Sequence, residues 1–214
     1  IRALVDAGVL RGFPDGTFKP AAPMTRAQMA KVLTLTAGWP IAPEKAAIFP
    51  DVTDSEQKGF VGALIAQGIT TGTTPTTFSP YQSLSRQQMA TFFIRAMGLE
   101  DEAQQLAERL IPELAFTDRQ QIDKSHQANV ALAGKIGFIT GIPEGNGKYR
   151  FEPRTLAKRQ QIARLGYEFM FNRAQYIARA QSLLSGSAVS TQTLESFSSD
   201  QLIVGWKKAL DETW

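Results

Sequence analysis

Gly12-Phe13-Pro14-Asp15-Gly16-Thr17-Phe18-Lys19-Pro20, followed by Thr25-Arg26-Ala27-Gln28-Met29-Ala30, is the stretch on which the fold turns. Pro14-Asp15-Gly16 is turn chemistry: proline presets one backbone angle, aspartate bonds nearby backbone, and glycine tolerates a positive φ. Phe18 and Pro20 would pin a short extended loop to a core. Thr25 with Gln28 three residues on is a capping box, and Met29, Val32 and Leu33 recur at helical spacing, so a helix starts near Arg26. Ahead of the loop, Leu4, Val5 and Val9 follow helical spacing, with a stop at Gly8. The unit is therefore a helix, a glycine stop, a loop and a capped helix.

This unit recurs twice. Gly68-Ile69-Thr70-Thr71-Gly72, Phe78-Ser79-Pro80 and Ser85-Arg86-Gln87-Gln88-Met89-Ala90 form the second copy. Gly137-Phe138-Ile139-Thr140-Gly141, Phe151-Glu152-Pro153 and Lys158-Arg159-Gln160-Gln161-Ile162-Ala163 form the third. The interval between the two glycines, and that from proline to the residue before arginine, are the same in all three. Only the third copy lengthens its loop, through Pro143-Glu144-Gly145-Asn146-Gly147, and insertions belong in loops. Met89, Phe92, Phe93 and Met97, then Ile162, Leu165, Phe169 and Met170, repeat the apolar stripe, so three stripes can pack as a central bundle.

Each capped helix opens on an arginine: Arg26, Arg86 and Arg159. A cation at a helix start opposes the dipole by roughly 0.3–1 kcal/mol, so threefold recurrence asks for a reason. Salt bridges between neighbouring copies are one. An anion seat is the other, because helix-start N–H groups beside a guanidinium fork suit a carboxylate or phosphate.

Composition narrows the function classes. The 214 residues are 43% hydrophobic and 20% charged, inside the normal globular range, so disorder is not the default reading. The net charge of +3 is too slight for a nucleic-acid interface but suits an anionic partner. There is no cysteine and one histidine, His126, so disulfides, thiolate metal sites and histidine-based nucleophilic catalysis are not expected, and no cofactor is called for. No apolar run approaches the ~20 residues of a membrane span. The chain begins at Ile1 inside a helical pattern without a leader, which reads as a processed or excised fragment.

These motifs resemble the S-layer homology domains of bacterial surface proteins, over roughly residues 1–172. The loop and capped helix quoted first carry the resemblance, with Phe49-Pro50-Asp51-Val52 and Phe116-Thr117-Asp118 resembling the motif that opens a repeat. The resemblance implies a mainly helical, all-α fold with irregular loops: three repeats about a pseudo-threefold axis, a central three-helix bundle and three prongs. It further implies inter-repeat grooves binding an acidic, often pyruvylated, secondary cell-wall polymer or modified peptidoglycan at the bacterial surface. Carried onto this chain, Arg26, Arg86 and Arg159 would take the carboxylate, Asp51 and Asp118 the sugar hydroxyls, and Asp15, Gly16 and Thr17 would line a loop. Departures are Gln28, Gln88 and Gln161 for the usual glutamate, Lys158 at a capping position, no aromatic at Lys58 or near His126, and no Asp-Gly in the second loop.

The expected organisation is repeat one at 1–48 without its opening half, repeat two at 49–99, a connecting helix at 100–112 with a solvated acidic face, and repeat three at 113–172. Residues 173–214 then form a helical extension, a Ser/Thr-rich linker and a terminal amphipathic helix through Leu202, Trp206 and Leu210. Phe197, Asp200 and Trp206 faintly resemble a repeat opening. Rival functions are an assembly module contacting S-layer or envelope proteins, and the anchor of a surface glycoside hydrolase.

Overall fold

The computed structural model describes residues 1–186 and is mainly helical, with one small two-stranded sheet. The linker and terminal helix expected further on, with Phe197 and Asp200, lie outside the described residues. In order the elements are α1 (Arg2–Asp6), α2 (Arg26–Ala37), a 3-10 turn (Pro43–Ile48), α3 (Ser55–Ala66), α4 (Arg86–Ala96), α5 (Glu100–Gln105) and α6 (Ala107–Glu113). A 3-10 turn (Arg119–Gln121), α7 (Lys124–Lys135), β1 (Ile142–Gly145), β2 (Lys148–Arg150) and α8 (Arg159–Ser185) follow.

Local chemistry sets the ends of these helices. In α2 and α4 the cap hydroxyls of Thr25 and Ser85 accept from the backbone of Gln28 and Gln88, whose side chains accept in return from the cap N–H at 3.0 Å. An ammonium cannot accept, so α8 keeps only the return half, Lys158 N–H to Gln161 Oε1 at 2.9 Å. After α1, α3 and α7 the chain turns through Gly8, Gly68 and Gly137, at φ of 69°, 70° and 77°.

The third-copy insertion is an antiparallel hairpin, β1 on β2, pairing Ile142 with Arg150 and Pro143 with Tyr149. The expected single connecting helix is two: α5 and α6 break at Leu106, with Ala103, Leu106 and Leu110 all buried. Nor is its acidic face wholly solvated. Glu100 accepts both oxygens' worth of bonding from Arg95 Nε at 2.8 Å, and one oxygen of Glu102 is sealed from solvent.

One hydrophobic cluster runs through all three copies. Phe93 of α4 meets Phe138 at 5.3 Å and Phe169 of α8 at 5.9 Å, while α2 packs on α3, α4 and α8. At Gly166 of α8 an added Cβ would lie 3.3 Å from Val32 and 3.4 Å from Leu4, so the helices approach closely there. Beyond Phe171, α8 continues unbroken, and Arg179 donates to the Ile136 carbonyl at 2.9 Å.

The copies are joined by backbone bonds that close on themselves. Met24 N–H donates to Ala157 O at 3.1 Å, Ala157 N–H to Leu84 O at 2.8 Å, and Leu84 N–H to Met24 O at 3.0 Å. All three residues are buried. The first two amides of each capped helix close a second cycle in the opposite sense. Arg26 and Ala27 donate to Gln82 and Pro80, Arg86 and Gln87 to Thr155 and Pro153, and Arg159 and Gln160 to Ala22 and Pro20, all at 2.9–3.0 Å.

Candidate functional site

The three arginines are buried, only 5%, 5% and 6% exposed. Each Nε–H donates to the phenylalanine carbonyl of the next copy's loop: Arg26 to Phe78 at 2.6 Å, Arg86 to Phe151 at 2.6 Å, Arg159 to Phe18 at 2.8 Å. Each guanidinium also lies over that phenylalanine ring, 4.7, 5.1 and 4.5 Å from its centre. Burial pushes the Arg26 pKa down to about 10, partly opposed by Asp51, and lowers those of Arg86 and Arg159. All three stay charged at neutral pH.

The recurrence of arginine therefore has a cause that neither sequence reading named. It is not an ion pair between copies but a charge-assisted bond to a neighbouring carbonyl. The helix-start amides that an anion seat requires are likewise donated to the next copy.

Asp51 and Asp118 act within their own copies. Asp51 accepts from Phe78 N–H at 3.0 Å and Ser79 N–H at 2.7 Å; Asp118 accepts from Phe151 N–H at 2.8 Å and Glu152 N–H at 2.7 Å. Ser79 and Glu152 sit at φ of 59° and 56°, so each carboxylate clamps a strained turn. Asp15 is also engaged locally, accepting from the Thr17 N–H and hydroxyl at 3.0 and 2.6 Å and pairing with Lys19 at 2.9 Å. The Thr17 hydroxyl, then Lys19, lower its pKa.

Two clefts open where copies meet. The larger, about 380 Å³, is lined by Arg159 together with Arg11, Gln28, Lys31, Gln57 and Tyr81, so it draws on all three copies. Arg159 Nη2 donates to Arg11 O at 2.8 Å, Lys31 pairs with Glu56 on the rim, and Tyr81 is 67% exposed. Gln57 Oε1 is buried without a hydrogen-bond partner among the described residues. The smaller cleft, about 300 Å³, holds Arg86, Lys158, Glu152 and Gln161. Of the nominated residues, Arg159 and Arg86 line clefts, whereas Arg26, Asp51, Asp118, Asp15, Gly16 and Thr17 line neither. Arg11, Lys31, Gln57 and Tyr81 carry no repeated signature that singles them out in the sequence.

His126 is half-buried between α4 and α7, its Nδ1 2.8 Å from Thr91 Oγ1. Burial lowers its pKa, Asp123 opposes this and Arg95 adds to it.

The comparisons with known proteins agree with this architecture. The family model described as S-layer homology domain matches residues 1–30 and 48–90, the first two copies. The chain is 30% identical over 164 residues to the surface-layer 125 kDa protein of Lysinibacillus sphaericus, covering 76% of this chain and 13% of that one. It is 30% identical over 165 residues to an endoglucanase of Bacillus sp. strain KSM-635 (77% and 17%) and 26% identical over 165 residues to S-layer protein EA1 of Bacillus anthracis (76% and 18%). It thus spans less than a fifth of each of these relatives. With the capped arginine helices and the family match in hand, the chain belongs to the S-layer homology domain family.

Proposed function

We propose that these residues form a non-catalytic anchoring module that holds an acidic cell-wall glycan, a pyruvylated secondary polymer or a modified peptidoglycan, in the clefts between copies. The chain is a cell-surface protein, and among the described residues no helix is long and apolar enough to cross a membrane. The closed cycle of inter-copy bonds supports a pseudo-threefold body in which α2, α4 and the first part of α8 form the central bundle and the loops project as three prongs.

The observation that carries the binding reading is the larger cleft. It joins cations (Arg11, Lys31, Arg159), amides (Gln28, Gln57) and an exposed aromatic (Tyr81), the set that a sugar bearing a carboxylate needs. Arg86 and Lys158 give the smaller cleft a weaker version of the same chemistry. Arg26, Asp51 and Asp118 serve the scaffold on which the clefts are built.

Calorimetry with purified wall glycan, native and stripped of its acidic substituents, tests the reading. Arg11→Gln, at an exposed site, should leave stability within about 0.5 kcal/mol yet weaken binding roughly tenfold. Added salt should weaken it further. Equal affinity for native and stripped glycan, unchanged by Arg11→Gln, would overturn it. A second reading is favoured by the endoglucanase relative: the module anchors a hydrolase whose catalytic part lies elsewhere in a longer chain.

A further inference from the structure

The larger cleft has a counterpart between copies two and three whose polar groups are turned on one another. Counted from Arg26 and Arg86, from the caps Asp54 and Asp123, and from Pro80 and Pro153, Thr91 takes the place of Lys31, His126 of Gln57, Asn129 of Phe60 and Arg154 of Tyr81. Tyr81 points no hydrogen bond across its cleft, whereas Arg154 Nη2 donates to Asp123 Oδ1 at 2.7 Å.

That bond diverts Asp123 from the work its position implies. Asp54 caps α3, its Oδ1 accepting from the Gln57 N–H at 2.8 Å. Asp123 stands at the same place ahead of α7 but makes no side-chain cap. Its two oxygens accept instead from Arg154 and from Gln87 Nε2, and these bonds, Arg154 first, lower its pKa. The pair lies in the open, the Arg154 side chain 69% and that of Asp123 46% exposed. Arg11 and Lys31 give way to Thr71 and Thr91 at this interface, so Arg154 supplies an exposed cation in their stead. Asn129 is fully buried, and its Oδ1 has no hydrogen-bond partner among the described residues.

We propose that the interface of copies two and three is a second seat for the acidic wall glycan, shut by Asp123, whose carboxylate holds Arg154 in place of the ligand's own acid group. This rests on the glycan reading of the larger cleft. A ligand carboxylate that takes Arg154 releases Asp123 Oδ1, which then caps α7 on the His126 N–H as Asp54 caps α3 on that of Gln57. The recovered cap offsets the loss of the ion pair, since a pair this exposed contributes little. The free acceptor on Asn129 takes a sugar hydroxyl, which removes the cost of burying it unpaired. Asp123 is thus an internal competitor, and the larger cleft fills first.

The test titrates the isotope-labelled 214-residue protein and its Asp123→Asn variant with purified wall glycan. Asparagine removes the charge that holds Arg154, yet it still caps a helix and still accepts from Gln87. Shifts at the Gln57 amide report the larger cleft and are expected in both proteins. Shifts at the Thr91 and His126 amides should saturate at about tenfold lower glycan in Asp123→Asn than in the parent. Adding Arg154→Gln should abolish that gain. A gain that survives Arg154→Gln would show that Asp123 merely repels the ligand, and equal affinity at Thr91 and His126 in parent and Asp123→Asn would also overturn the seat. A response at Gln57 with none at Thr91 or His126 would sink the seat and leave the larger cleft standing. No response at any of the three amides would overturn both readings.

Discussion

Arg26 shows how burial reverses a local rule. Considered as a cation at a helix start, its replacement by glutamine would leave stability unchanged or raise it by roughly 0.3–1 kcal/mol. Its Nε–H, however, is a buried charged donor to Phe78 O at 2.6 Å, and such bonds are worth about 1.5–3 kcal/mol. The larger effect wins, so Arg26→Gln should lose about 1–2 kcal/mol in urea denaturation. A variant as stable as the parent would show that the bond contributes nothing net. His126 provides the second residue-scale prediction. Its folded pKa lies below the ordinary 6.5, so the folded state prefers the neutral ring while the unfolded chain takes up the proton first. That contribution to stability is complete above about pH 6.5 and is lost as pH falls through the lowered folded value. The urea midpoint should therefore drop between pH 7 and 5, and His126→Gln should flatten that drop. Asp123 and Arg95, which also face the ring, set how far the window extends.

At the scale of elements, the loops and not the helices are the demanding parts. Gly72 sits at φ +89°, and a Cβ there would stand 2.4 and 2.5 Å from two backbone oxygens and 2.7 Å from Phe49. Gly12, its counterpart, has only one contact under 3.4 Å and no positive φ. Gly72→Ala should cost about 2 kcal/mol or more and Gly12→Ala less than about 1, measured by thermal unfolding. Equal costs would mean that clearance for the opening aromatic is not what glycine provides. The helix starts at Arg26, Arg86 and Arg159 are legible in sequence because a cap and an apolar period involve residues a few positions apart. The break at Leu106 is not, since Asp101 to Leu110 keeps a helical period across it.

At the scale of the whole molecule, the helix-start amides of each copy donate to the next and those of the third return to the first, while Met24, Ala157 and Leu84 close a cycle in the other sense. Removing residues 113–172 would leave Arg86 and Gln87 without their carbonyls, strip Met24 of its acceptor at Ala157, and expose the faces of Phe93 and Val32 that α8 covers. The shortened chain should unfold or aggregate, while the full chain should melt in one calorimetric transition. A folded monomer after the deletion would show that the cycle is not needed.

The sequence by itself determined the threefold repetition, the positions of glycine stops and capped helices, and the family, because each is written in residues a few places apart. It also marked Arg26, Arg86 and Arg159 as unusual. Only the tertiary structure decided what they do. Arg159 meets Phe18, 141 positions away, and Asp51 meets Phe78 and Ser79 across a whole loop. A buried guanidinium must find acceptors, and the nearest are carbonyls of another copy, which no local pattern displays. The larger cleft was hidden for the same reason: Arg11, Tyr81 and Arg159 come from three copies and converge only once the ring of backbone bonds has closed.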